Sequence, residues 1–194
     1  LLFGGRIEPL KAVDTILESL HVIRETHPHL LRHLLFMIVG GDPASGQNEE
    51  MRRLQQLSTQ LNIDHIVNFV GAKEQQELPT YYAAATAVIM PSEYESFGMV
   101  ALEAMATGTP VIASQVGGLA FLIRDKETGF LVPVREPRTL ADCIITLLSD
   151  PEKSEKMGLS ASRLAQDYAW SNIASKLINV FSQLADGIPK KAFH

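Results

Sequence analysis

The stretch PSEYESFGMVALEAMATGTPVIA, residues 91–113, contains a loop, a helical pattern and an apolar run in a short length of chain. It follows the apolar run Ala87–Met90, carries the helical pattern over Met99–Thr107 and ends in the apolar run Val111–Ala113. Continuously apolar strands joined by a helix are typical of a parallel sheet that is covered on both faces. The stretch therefore predicts a βαβ unit with a right-handed crossover.

One carboxylate interrupts this apolar segment. From Ser96 to Ile123 the only charged side chain is Glu103. Helical side chains lean toward the N-terminus of their helix, so Glu103 is predicted to point back toward the loop before Met99. A buried carboxylate needs hydrogen-bond donors. These are either protein groups or the hydroxyls of a bound ligand.

The alternation of strand and helix extends along the chain. The other predicted strands are 1–3, 34–39, 66–70 and 130–132, and the other helices are 12–26, 48–61, 80–85, 119–123, 139–148, 152–168 and 171–184. We predict an α/β fold with a Rossmann-like parallel sheet of about six strands, flanked by helices and followed by C-terminal helices. Residues 1–170 are assigned to this domain, 171–186 to a C-terminal helix and 187–194 to a tail. Trp170 is predicted to be a packing anchor between two helices.

The composition excludes several classes of partner. The chain has 194 residues, a net charge of −5 and a pI near 5.7, which argues against nucleic acid or an anionic membrane as the main partner. No apolar stretch reaches the roughly 18 residues that a membrane span needs. The lone Cys143 is interpreted as a buried structural thiol, which suits a reducing compartment, and we expect a cytoplasmic protein. The chain opens inside a predicted strand without Met, so we interpret it as a piece of a longer protein.

The loops that follow the strands are the candidate ligand site, because open α/β sheets bind ligands beyond the carboxyl ends of their strands. Five such loops are predicted to converge on one edge. They are Gly4–Lys11, Gly40–Gly46, Gly71–Lys73, Pro91–Gly98 and Ser114–Gly118.

Three features of these loops favour a diphosphate as the ligand. A helix N-terminus near Gly98 offers unpaired N–H groups and a partial positive charge, and glycine leaves room for a phosphate. Arg6 and Lys11 add two cations from the first loop. The alternatives are an ion pair between Arg6 and Glu8, and a solvated Lys11 in a first helical turn.

Glu95 is the second carboxylate of the segment, eight positions before Glu103. One interpretation is a capping box with Ser92. The other is that Glu95 accepts hydrogen bonds from a second ligand moiety, on the opposite side of the phosphates from Glu103. A ligand with a diol, a diphosphate and a polyol is a nucleotide sugar.

These motifs resemble the donor-binding domain of the retaining family-4 glycosyltransferases of the GT-B fold. ESFGMVALE carries the family's Glu-x7-Glu spacing, GRIEPLK is similar to its phosphate-binding loop, and TGFLV is similar to its late strand. The resemblance extends from the first residues to about Leu184. GGDPASG together with ESFGMVALEA is most similar to the branch that holds mycothiol-pathway N-acetylglucosaminyltransferases and sucrose-phosphate synthases.

The resemblance implies one half of a GT-B fold and a role for each motif residue. Arg6 and Lys11 would hold the donor diphosphate, Glu103 the ribose hydroxyls, and Glu95 the hydroxyls of the donor sugar. Arg6, Lys11 and Glu95 would be the catalytic residues. The remaining predicted contacts are Gly71, Ala72 and Lys73 near the base, Ser96, Phe97 and Gly98 beside the sugar, and the Met99 and Val100 amides at the phosphates.

The implied reaction is transfer of a hexosyl group from a nucleotide sugar, with UDP the expected nucleotide, to an unidentified acceptor with retention of configuration. No metal or other cofactor is expected. An N-terminal domain outside this chain would bind the acceptor and supply a histidine, and the helix 171–186 would pack toward it. The family commonly has Gly where this chain has Ala12.

Two other functions were weighed. A dinucleotide dehydrogenase needs Gly-x-Gly-x-x-Gly after the first strand, and this chain has GGRIEP there. A non-catalytic nucleotide-binding or interaction module stays open as the alternative. His27, His29 and His33 lie between a helix and a strand, away from the predicted site, and are interpreted as a polar connection rather than a metal site.

Overall fold

The computed structural model describes residues 1–41 and 49–187. The described residues form one sheet of six parallel strands in the order β3-β2-β1-β4-β5-β6. The strands are β1 (Leu2–Gly4), β2 (Phe36–Val39), β3 (Val67–Gly71), β4 (Val88–Met90), β5 (Val111–Ser114) and β6 (Gly129–Val132). The predicted Rossmann-like fold is therefore confirmed, with the six strands where the apolar runs indicated them.

Helices follow the strands. They are α1 (Val13–Thr26), α2 (Pro28–Leu31), α3 (Glu49–Gln60), α4 (Leu78–Ala84), α5 (Met99–Ala106), α6 (Leu119–Leu122), α7 (Pro137–Ser149), α8 (Pro151–Gln166) and α9 (Trp170–Gly187). Helix α2 was not predicted from the sequence, because it lies in the stretch interpreted as a polar connection. A four-residue helix that starts at a proline is too short to show a helical period.

The apolar strands separate two hydrophobic cores. Alternate residues of β1 point to opposite faces, so Phe3 packs in the core beneath α1 and α7, and Leu2 packs in the core beneath α4, α5 and α8. Ile112 and Val111 of β5 divide in the same way. Both faces of the sheet are covered, and this explains why the strands carry almost no polar residues.

The prediction for Trp170 was wrong. Trp170 is the first residue of α9, and 82% of its surface is exposed. The chain turns at Asp167–Ala169, and the large apolar side chains of α9 are exposed as well. These are Leu177, Ile178, Val180, Phe181 and Leu184. No described part of the chain covers them, so Trp170 has no core to anchor.

Cys143 lies on α7, partly buried, where burial raises the pKa of its thiol to about 11. The thiol is therefore protonated at neutral pH, as expected for a structural cysteine. No helix among the described residues combines the length and the apolarity that a bilayer crossing demands. Residues 42–46 of the predicted second loop and 188–194 of the predicted tail lie outside the described residues.

Candidate functional site

The candidate site lies where the sheet order changes direction, between β1 and β4. Chain segments that leave neighbouring strands in opposite directions open a crevice at this point. The loops after β1 and β4 are joined across it, since the Glu93 N–H donates to the Leu10 carbonyl at 2.9 Å. The loop after β5 joins them through the Gly118 N–H, which donates to the Glu95 carbonyl at 3.0 Å. Three of the five predicted loops therefore converge as expected.

A cavity of about 210 Å³ lies in this crevice and contains most of the predicted site. Its lining includes Arg6, Lys11, Glu95, Ser96, Phe97, Gly98, Met99 and Val100. A second cavity of about 530 Å³ shares Gly5 and Arg6 with the first and extends to Ala72 and Lys73 in the loop after β3. Gly71 and Glu103 are not among the described lining residues of either cavity. The carbonyl of Gly71 instead accepts a hydrogen bond from the Gly40 N–H at 2.9 Å.

Lys11 and Glu95 form an ion pair inside the first cavity. Their Nζ and Oε2 atoms are 2.6 Å apart, and the side chains are only 18% and 16% exposed. Lys11 ends a 3-10 turn, Pro9–Lys11, and the left-handed Ala12, with a φ of 51°, follows it. Glycine favours this conformation, and Ala12 is where the family commonly has Gly. Lys11 is thus held in the cavity, which excludes the alternative of a solvated first helical turn.

Arg6 and Glu8 form an ion pair, which is the alternative weighed for Arg6. The distance is 3.1 Å, and the Arg6 side chain is 79% exposed. An exposed pair of this kind holds its partners weakly. Arg6 therefore lies at the mouth of both cavities on a side chain that is free to reorient.

The N-terminus of α5 faces the first cavity, because Gly98, Met99 and Val100 line it. Gly98 has a φ of 97°, which favours glycine, and an added Cβ would lie 2.7 Å from Cδ2 of Leu119, so that side chain would have to shift. The capping box is not formed, since the buried Ser92 hydroxyl has no hydrogen-bond partner among the described residues. The first N–H groups of α5 have no side-chain cap. They are available to an anion.

Glu103 is satisfied by protein donors. Its Oε2 accepts a hydrogen bond from the Tyr82 hydroxyl and its Oε1 from the Gln75 amide, both at 3.0 Å. Neither donor was predicted from the sequence. Tyr82 lay in a stretch interpreted only as a short helix, and Gln75 lay beyond the loop that was considered. Nothing in the local pattern links either residue to Glu103.

A charged network beyond the cavity was also missed. Arg135, in the loop after β6, pairs with Glu93 of the loop after β4 and with Asp14 of α1, the latter at 2.7 Å. Arg53 of α3 pairs with the other oxygen of Asp14 at 2.8 Å. Burial alone would raise the pKa of the Asp14 carboxyl, but hydrogen bonds from Arg135 and Arg53 outweigh it and lower the pKa below its usual value. The network ties the loop that carries Glu95 to the helix that follows Lys11.

A family model described as glycosyl transferases group 1 matches residues 1–163. The chain is 40% identical over 181 residues to a D-inositol 3-phosphate glycosyltransferase of Streptomyces avermitilis, with 93% of this chain and 39% of the relative covered. The chain thus spans about two fifths of the length of that relative.

Solved structures share the fold. A sucrose-phosphate synthase from Thermosynechococcus elongatus is 35% identical with a TM-score of 0.82, covering 96% of this chain and 45% of the other. Anabaena HepE in complex with UDP is 26% identical to this chain with a TM-score of 0.83, and the match covers 94% of this chain and 48% of HepE. The first two relatives carry names of the kind held by the branch that the sequence motifs resemble. HepE was solved with UDP, the nucleotide that the resemblance implies. Since the family model covers most of its residues, this chain belongs to the glycosyl transferases group 1 family.

Proposed function

We propose that this chain is the donor-binding half of a retaining glycosyltransferase. It binds a nucleoside diphosphate sugar, UDP-glucose or UDP-N-acetylglucosamine, and a hexosyl group is transferred to an acceptor. The observation that carries the proposal is the Lys11–Glu95 pair in one cavity with the uncapped N-terminus of α5. One cation for a phosphate and one carboxylate for sugar hydroxyls stand side by side there.

The chemistry that these groups supply is stabilisation of the leaving group. Negative charge builds on the diphosphate as the bond to the sugar breaks. Lys11, Arg6 and the N–H groups of α5 are proposed to oppose that charge without a divalent metal. Glu95 orients the sugar by accepting its hydroxyls and does not attack it.

The larger cavity suits the nucleoside. It adjoins the cavity proposed to bind the diphosphate, because Gly5 and Arg6 line both. It extends to Ala72 and Lys73, where we propose that the base binds. Uracil is the proposed base because HepE, a relative of the same fold, has been solved with UDP and with UDP-glucose. Glu103 is proposed to receive the ribose hydroxyls.

The acceptor is proposed to bind to a domain outside this chain. The chain spans about two fifths of the relative from Streptomyces, and α9 exposes a row of large apolar side chains. We propose that α9 packs against that domain, which also supplies the acceptor site and, by resemblance to the family, a histidine near the reacting carbon.

Isothermal titration calorimetry with UDP, GDP, ADP and UMP tests the proposal. We expect UDP to bind most tightly, and UMP more weakly because it lacks the second phosphate. Absence of binding by all three diphosphates would overturn the donor-binding function. Binding without any transfer by the longer protein that contains this chain would instead favour the alternative of a non-catalytic nucleotide-binding module, which the chain's short span of its relatives leaves open.

A further inference from the structure

The two hydrogen bonds to Glu103 differ in their surroundings. Tyr82, which donates to Oε2, is 1% exposed, whereas Gln75, which donates to Oε1, is exposed. Both distances are 3.0 Å. One carboxylate oxygen is therefore held from inside the protein, and the other is covered by a side chain on the surface.

Tyr82 is fixed in place by its neighbours. A Cβ added to Gly4, at the end of β1, would lie 3.6 Å from the Tyr82 ring and 3.7 Å from its hydroxyl, so the ring packs directly beneath the first loop. The Tyr82 carbonyl accepts a hydrogen bond from the Thr109 hydroxyl at 2.7 Å. Burial and the Glu103 carboxylate raise the pKa of Tyr82, so the phenol keeps its proton and donates at neutral pH.

Gln75 makes its hydrogen bond at the surface of the protein. It lies in the turn between β3 and α4, two positions after Lys73, which lines the larger cavity. Its side-chain amide is a neutral donor, and once a ligand displaces it from Glu103 it can donate to water instead. The exchange of its hydrogen bond for one from a ligand hydroxyl therefore costs little.

We propose that Tyr82 is a positioning residue that holds Oε2 of Glu103 and presents Oε1 to the ligand, and that Gln75 occupies Oε1 until a ribose hydroxyl replaces it. This inference rests on the proposed function, because it takes Glu103 as the ribose-binding group. Tyr82 and Gln75 are then expected to have opposite effects on nucleotide binding. Tyr82 strengthens nucleotide binding, and Gln75 competes with it.

Calorimetry with UDP and its 2′,3′-dideoxy analogue tests the inference. The variants are Tyr82→Phe, Gln75→Ala and the matched control Tyr81→Phe, which keeps the ring that lies 6.0 Å from the Lys73 Nζ. We expect the wild type to favour UDP over the analogue by about tenfold, and Tyr82→Phe to reduce that preference to about threefold or less and to weaken UDP binding. Gln75→Ala is expected to bind UDP about threefold more tightly, and Tyr81→Phe to match the wild type.

The preference for the ribose hydroxyls separates positioning from a general loss of stability, which would weaken both ligands equally. Tyr82→Phe with an unchanged preference would overturn the role of Tyr82. Gln75→Ala with weakened UDP binding would overturn the displacement of Gln75, even if the tyrosine variant failed to fold. A wild type that binds UDP without preferring its hydroxyls would overturn the inference and leave donor binding intact, whereas a wild type that binds no nucleotide would overturn both.

Discussion

Lys11 and Glu95, 84 positions apart in the sequence, meet in one ion pair of 2.6 Å within the cavity between the first and fourth strands. The pair is largely shielded from solvent, so each group has lost water and depends on the other. A bound diphosphate offers Lys11 a second anion, and sugar hydroxyls offer Glu95 new donors. The ligand-free pair therefore keeps both groups in place for the two halves of the proposed donor.

Replacement of Lys11 by alanine is expected to weaken UDP binding by about 10- to 100-fold, the range for loss of a hydrogen bond to a charged group. UMP binding should change less, because it lacks the second phosphate. Calorimetry with both ligands measures the difference. Lys156→Ala, at an exposed position on α8, is the control and should leave both affinities unchanged. Equal losses for UDP and UMP would contradict a contact between Lys11 and the diphosphate.

Glu95→Ala and Glu103→Ala should separate the two carboxylates. Without Glu95, Lys11 is released, so UDP affinity should be maintained or rise while sugar transfer by the longer protein is lost. Without Glu103, UDP affinity itself should fall by about tenfold. Calorimetry and a transfer assay distinguish the variants. If Glu95→Ala weakened UDP and Glu103→Ala did not, the proposed roles of the two residues would have to be exchanged.

Gly118 supports the loop that carries Glu95. A Cβ at Gly118 would lie 2.5 Å from the Phe97 carbonyl oxygen and 2.6 Å from that of Ser96, both of them backbone atoms that cannot turn away. Gly118→Ala is expected to lower the free energy of unfolding by about 2–3 kcal/mol and to weaken UDP binding. Urea denaturation and calorimetry measure the two effects. The control is Gly108→Ala, where a φ of 82° but no neighbour within 4 Å predicts only a strain cost of about 1 kcal/mol. Equal losses for the two variants would show that the loop moves aside.

The strands and the loops after them were predictable because their signal is local. Val111 and Ile112 belong to an uninterrupted apolar run, which a strand covered on both faces requires. The Gly98 helix N-terminus and the cations of the first loop also lie in short recognisable stretches. The ion pair of Lys11 with Glu95 was not predicted, because it depends on how two distant loops approach each other.

The same limit explains the other omissions. Tyr82 reaches Glu103 from a different helix, and Arg135 reaches Asp14 across 121 positions of sequence. Neither spacing marks the residues as partners before the sheet order is known. The predicted burial of Trp170 was wrong for a related reason. A large aromatic residue between two helices is buried only if the second helix packs on the same domain.

Asp14 should make stability depend on acid pH. Its pKa is lowered in the folded state by Arg135 and Arg53, from an ordinary value of 3.8. The stabilisation is therefore complete above about pH 4 and is lost as the pH falls through the lower folded value. Asp14→Asn should be less stable than the wild type at pH 7, and the difference should shrink as the pH falls below 4. Urea denaturation over pH 2.5–7 measures it, and a constant difference would show that Asp14 is not held as an ion.

The exposed face of α9 predicts that this helix contributes little to the stability of the domain. Phe181 is 64% exposed, so Phe181→Ser removes few contacts and should change the free energy of unfolding by less than about 0.5 kcal/mol. Leu147, 0% exposed on α7, is the contrast, and Leu147→Ala should cost about 2–5 kcal/mol. Urea denaturation monitored by circular dichroism compares them. A loss for Phe181→Ser as large as that for Leu147→Ala would mean that α9 packs on this domain. A small loss here, together with a large loss for the same substitution in a longer protein that contains this chain, would support the proposed packing of α9 against a domain outside this chain.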